Sequence, residues 1–220
     1  MDLNLDDMIS SRPKDSNLPQ WKKYAFIGVA TGIFIFAMLF VVLVIGTPSD
    51  AEGGKIPTGP VLGEIICSYE TNDISKETKI LGDEFNSNNN IGILIEKESI
   101  SFRKSISFNT TGEHEIHYLI YGPLNMDNMF KEVTSLKSVI MTSSHAKITS
   151  MKSVFEDCSV NAFSFTGFDT SNVKSVHKLF YNTGLNNIMF TDFKTNNVED
   201  FSYMFAKSNP NKLDLSKLNT

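Results

Sequence analysis

Arginine is nearly missing from this chain. Of 220 residues only Arg12 and Arg103 are arginines, and between 126 and 220 ten lysines stand against nine acidic residues with no arginine at all. With a formal net charge of −5 and lysines scattered along the chain, the clustered basic face that a nucleic-acid partner needs is not expected. Cysteine is as scarce: Cys67 and Cys158 allow one disulfide at most, which excludes a scaffold held by several bridges. No glycine-rich phosphate loop, G-x-S-x-G or H-E-x-x-H occurs, so phosphate-loop, nucleophile-elbow and zincin chemistries have no carrier. The histidines, His114, His117, His145 and His177, fall in different registers. His114 and His117, three apart, point to opposite faces of a strand. No metal site and no cofactor is expected.

What the chain does contain begins with a long apolar run. Tyr24 to Gly46 carries no charged residue over 23 positions, and as a helix it would reach roughly 34 Å, the thickness of a bilayer core. A cleavable signal peptide has a shorter apolar core nearer the N-terminus, so the run reads as an uncleaved signal anchor. Arg12, Lys14, Lys22 and Lys23 precede it and Lys55 alone follows closely, which predicts a cytoplasmic N-terminus and an extracellular or lumenal remainder at the plasma membrane or cell surface. The expected order is then a cytoplasmic tail (1–23), a transmembrane signal anchor (24–46), and a Pro- and Gly-bearing stalk (47–60), with the membrane as an integral, single-span partner.

Past the stalk, residues 61–125 alternate with period two. Ile100, Phe102, Ile106 and Phe108 share one face of "SISFRKSISF", and Ile116, Tyr118 and Ile120 share one face of "HEIHYLIY". "NTTG" at 109–112 reads as the hairpin loop between them. A small all-β domain is expected here, docking on and capping whatever follows. Asn109-Thr110-Thr111 is the one glycosylation sequon with a permitted middle residue. It reads equally as an N-glycan acceptor at Asn109 or as a plain turn.

From 126 onward the chain repeats itself every 25 residues. "FDTSNV" at 168–173 returns as "FKTNNV" at 193–198, and Phe130, Phe155, Phe180 and Phe205 recur at the same spacing. Ile148, Val173 and Val198 form another series, and the inward pairs Phe163/Phe165, Ile188/Phe190 and Leu213/Leu215 share one register. Stacked coils would place each series in a column, with parallel strands ~4.8 Å apart. Met151, Val176 and Phe201, three residues after the Ile148 series, predict a short helical turn leading into the anchor phenylalanine. "LNT" at 218–220 stands where "FDT" and "FKT" stood, so further coils are expected beyond about four, the last of which is incomplete.

The combination of "MF" or an equivalent, a cysteine three residues later in "VFEDC", a strand such as "LDLS", and "FDTSNV" resembles the BspA-type leucine-rich-repeat surface proteins, in particular their 25-residue subgroup of bacteria, mycoplasmas and protists. The resemblance covers about 126–220. It implies a leucine-rich-repeat-like solenoid of parallel strands and short helical turns, display at the cell surface, and adhesion to an extracellular protein or glycan ligand. Cys158 occupies a position that the family packs inward, which favours a buried free thiol over a bridge to Cys67. Only the second unit keeps that cysteine, since Val133, Thr183 and Ser208 replace it elsewhere.

The expected function is therefore non-catalytic recognition or adhesion. The outward residues of the strand face, Ser164, Thr166, Met189, Thr191, Asp214 and Ser216, are the ligand-binding candidates, and the four phenylalanines are structural. A structural component of the cell surface or wall is the alternative. A lumenal type II enzyme such as a glycosyltransferase shares the topology, but no Asp-x-Asp for a metal-bound nucleotide occurs after residue 50.

Overall fold

Alternating apolar residues in the first half of the chain form strands whose inward side chains meet one core. The structure is a computed structural model; it divides into two units, residues 1–49 and 50–220. It describes residues 57–86, 90–143, 145–189 and 192–215, all in the second unit. The strands are β1 (Gly63–Thr71), β2 (Thr78–Lys79), β3 (Ile91–Ile95), β4 (Glu98–Ile100), β5 (Ser105–Ile106) and β6 (Gly112–Ile120). They continue with β7 (Leu124–Asn125), β8 (Leu136–Ser143), β9 (Ile148–Ser150), β10 (Ala162–Thr166), β11 (Asn187–Met189) and β12 (Lys212–Asp214).

Six of them build a mixed sheet in the order β10-β8-β1-β6-β3-β4. Only β10 and β8 run parallel, paired Phe163 to Val139 and Phe165 to Met141. β1 lies between β6 and β8 and is antiparallel to both. The sheet is thus continuous from the non-repetitive strands into the first repeats. Ile65, Cys67, Tyr69, Ile116, Tyr118, Val139 and Met141 point inward and are buried.

The repeats stack in register. Phe130, Phe155, Phe180 and Phe205 lie in one column, with centroids 5.6, 5.4 and 5.8 Å apart and ring planes within 12° of parallel. Tyr118 of β6 meets Phe130 edge-on at 5.9 Å, closing that end of the column. Near-parallel offset pairs of this kind contribute about 0.5–1.5 kcal/mol each beyond their buried area. Thr170 and Thr195 are buried as well; the Thr170 hydroxyl donates to Lys194 O and accepts from Lys194 N–H, joining two coils. Asn197 Nδ2 donates to Ser171 O at 2.6 Å across the same interface.

Several expectations need correction. The described residues contain no helix and form a mixed-sheet all-β fold, so a leucine-rich-repeat-like solenoid with short helical turns is not what they show. The segments that were to be helical, 127–132, 152–157, 177–182 and 202–207, are turns. Each holds two non-glycine residues of positive φ, four apart: Asn128 and Glu132, Ser153 and Asp157, Lys178 and Asn182, Tyr203 and Lys207. A left-handed residue cannot continue a right-handed helix. Alternate N–H groups consequently point to the next coil: those of Asn128, Phe130 and Glu132 donate to Lys152 O, Val154 O and Glu156 O at 2.8–2.9 Å. The residues between bond back three positions, as Lys131 N–H does to Asn128 O.

The transmembrane signal anchor expected at 24–46, with the tail before it and the stalk residues up to 56, lies outside the described residues. Among those described, no helix is long and apolar enough to cross a membrane. The integral, single-span membrane partner read from that run rests on the same undescribed residues, and no described helix supplies one. The hairpin expected at 109–112 is also replaced. Ser105 and Ile106 pair with β2 rather than with β6, because the alternation of 99–108 breaks at Arg103-Lys104 and the strand changes partners there.

If the left-handed turns carry strain, Glu132→Gly should raise stability by about 0.5–1 kcal/mol, since glycine relieves the steric cost but adds unfolded-state entropy. Glu132→Val should lower it by at least about 1 kcal/mol. Urea unfolding of the two variants checks both signs.

Candidate functional site

The pleat that sends Phe163 and Phe165 inward sends Ser164 and Thr166 out, and both are exposed. Ser164 pairs with Ile140 of β8, Ile140 with Ile66 of β1, Ile66 with His117 of β6, His117 with Leu94 of β3, and Leu94 with Ser99 of β4. These six residues form a single row across the six strands, roughly 24 Å long at ~4.8 Å per strand. One step along, Thr166, Thr142, Glu64, Leu119 and Gly92 form a second row. Half-buried aliphatic groups (Ile140, Ile66, Leu94, Leu119) thus lie in the middle of the face. Ser164 and Ser99 close the first row at its two ends, while the second runs from Thr166 and Thr142 to Gly92.

One charged cluster interrupts the face. His117 places Nδ1 2.7 Å from Glu64 Oε1 and Nε2 2.8 Å from Glu115 Oε1. Both contacts can be hydrogen bonds only when both ring nitrogens carry protons. The Glu64 contact, aided by Glu115 and opposed by partial burial, raises the His117 pKa above its ordinary value of 6.5.

The remaining candidates distribute differently. Met189 and Asp214 are register partners in a separate two-stranded sheet of β11 and β12, not part of the six-stranded face. Thr191 and Ser216 lie outside the described residues. Asn109 is exposed in the loop between β5 and β6. Cys67 and Cys158 are both buried free thiols; Cys158 Sγ donates to Val133 O at 3.3 Å, and burial pushes its pKa up to about 12. Neither thiol is an available nucleophile at neutral pH. Near the end of the stack His177 Nδ1 lies 2.6 Å from Ser202 Oγ, and that hydroxyl also contacts Asp200 Oδ1. The hydroxyl donates its one proton to the carboxylate and so cannot also give it to the imidazole, and among the described residues no hydrogen bond orients the far ring nitrogen of His177. Among the described residues no group of three His, Cys, Asp or Glu is placed to hold a metal ion.

Sequence reading missed Ile140, Thr142, Ile66, Glu64 and His117 as members of one face. The signal was present as alternation in "LKSVIMTS" at 136–143, but that stretch fits the repeat least well, and its pairing with β1 depends on residues far away in the chain.

Comparison with known proteins bears on the repeats. Residues 122–220 match the family model of a Mycoplasma protein of unknown function, DUF285. The match covers less than half of the chain and leaves β1 to β6, four strands of the large sheet among them, outside it. No curated protein matches the chain, and no solved structure does.

Because the folded-state pKa of His117 is raised, its contribution to stability is complete below the unfolded value near 6.5 and is lost as pH rises through the folded value. Thermal unfolding from pH 6 to 8.5 should show the native protein losing stability relative to His117→Gln as pH rises. A constant difference between the two would show that the carboxylates do not favour the imidazolium.

Proposed function

We propose that the protein is a non-catalytic recognition module of the cell surface that uses the outward face of its six-stranded sheet for adhesion to a ligand. One observation carries the reading: two rows of side chains run in register across the sheet, setting half-buried aliphatic groups beside hydroxyls at the β10 end and a His117–Glu64 pair at the centre. A surface of this make-up removes apolar area from water on contact while its short hydroxyls keep hydrogen-bonding freedom at little entropic cost. The resemblance of the repeats to BspA-type surface proteins belongs to the same proposal. The match to a family of unknown function adds no activity to it.

Binding is spread over the strands rather than gathered at a point, so several substitutions are needed to remove it. The full-length protein is to be screened on a printed glycan array and on immobilised extracellular-matrix proteins, with Thr142→Lys/Ser164→Lys/Thr166→Lys as the variant. The expected result is a loss of affinity of at least tenfold for any probe the native protein retains, with unfolding shifted by less than about 1 kcal/mol, as for surface changes. Unchanged binding by the triple variant would remove this face from consideration.

A further inference from the structure

The second row of the outward face ends at Gly92, the register partner of Leu119, where the row has no side chain of its own. Tyr121 fills that place. A Cβ on Gly92 would lie 3.1 Å from Tyr121 Cε2 and 3.6 Å from the phenol oxygen. The ring therefore rests over bare β3 backbone, on the side of β6 that also carries Leu119 and His117. Its own backbone is tied on both sides. Tyr121 N–H donates to Asn90 O at 2.9 Å, and Asn90 Nδ2 donates to Pro123 O at 2.8 Å. The half-buried ring is thus held before any ligand arrives, and a tyrosine fixed in this way adds contact area at little further cost in ordering.

The neighbours of the ring select the chemistry of a ligand. Leu119, Leu94, Ile66 and Ile140 continue the apolar area across four strands, all half-buried. A glycan laid there would set hydroxyls over aliphatic groups and give up water without gaining partners. An apolar side chain gains from the same burial. Charge narrows the choice further. Glu64, the register partner of Leu119, and Glu115 both contact His117, and two carboxylates around one imidazole leave the cluster net negative even when the ring is protonated. Glu70 and Glu113 stand opposite each other on the same side of the sheet, with only Lys137 bridging to Glu70 at 2.7 Å. Like charges in register repel, and a cation brought by a ligand relieves that repulsion.

On the reading of this face as the recognition surface, we propose that Tyr121 is its specificity-determining anchor and that the ligand is an extended protein segment. An apolar side chain of the segment packs on the Tyr121 ring, and a lysine or arginine beside it meets Glu64 and Glu115. A row of roughly 24 Å accommodates about seven residues of extended chain.

Two printed arrays test this with the full-length protein, one of random-sequence 12-residue peptides and one of glycans. The native protein should be retained by peptides that place a large apolar residue near lysine or arginine, and not by glycans. Tyr121→Ala should weaken that retention at least about tenfold, as loss of an aromatic anchor does. Gly92→Ala, which lifts the ring without removing it, should weaken it by about threefold or more, with urea unfolding checking that both variants remain folded. Retention by glycans alone, lost in Thr142→Lys/Ser164→Lys/Thr166→Lys, would overturn the protein ligand and leave the face standing. Peptide retention that survives Tyr121→Ala but not the triple variant would overturn the anchor. Retention by neither array, or retention that survives every variant, would remove the face itself and this inference with it.

Discussion

The hydrogen bonds that run from each turn to the next are the constraint on which the repeats depend. To aim three N–H groups at the following coil, a turn must reverse the sense of its backbone twice within six residues. It does so by placing two residues in the left-handed region. Each costs of the order of 1–2 kcal/mol for a side-chain-bearing residue. The phenylalanine midway between them is thereby directed inward, and 25-residue spacing sets successive rings near 5.5 Å apart rather than at arbitrary contacts. Burial of Phe130, Phe155 and Phe180 offsets the backbone cost coil by coil. A stack built this way gains stability from its neighbours and little from any single coil.

The non-repetitive strands solve the problem of how such a stack begins. Its first turn presents carbonyls and an aromatic ring, and both are met by groups from outside the repeat: Gly82 N–H for Met129 O, and the edge of Tyr118 for Phe130. Tyr118 is itself held in a buried triangle with Tyr69 and Ile80 O, whose three contacts of 2.7, 2.8 and 3.0 Å are served two at a time by the two hydroxyl protons. β1 then joins β8 over seven residue pairs. The outward face of the large sheet, where recognition is proposed, is a by-product of this closure, since without β1 the rows would end at β8.

Much of this was legible in the sequence, and the rest was hidden for definite reasons. Spacing of 25 identified the phenylalanine column, and period-two alternation marked β6. The turns were misread as helical because Met151, Val176 and Phe201 stand three residues after the Ile148 series and four before the anchor phenylalanine, spacings that a helix face would also give. Nothing in the residues contradicted it. The left-handed positions are filled by Asn, Ser, Lys and Tyr in one register and by Glu, Asp, Asn and Lys in the other, with none of the glycines that ordinarily announce such a conformation. Of the site, Ser164 and Thr166 could be found from the repeat alone. Ile140, Ile66 and His117 could not, because cross-strand register between distant segments is set by tertiary pairing rather than by local pattern.

β8 is the seam between two kinds of chain closure. On one side it pairs with β10, Met141 with Phe165, at the short sequence separation of one coil. On the other it pairs with β1, Met141 with Ile65, about three times as far along the chain. Loop-closure entropy grows with the logarithm of that distance, so the second pairing costs about 1 kcal/mol more before any contact is made. Folding is correspondingly uneven: the repeats assemble through local contacts, and the strand that completes the large sheet arrives by the slower, long-range route.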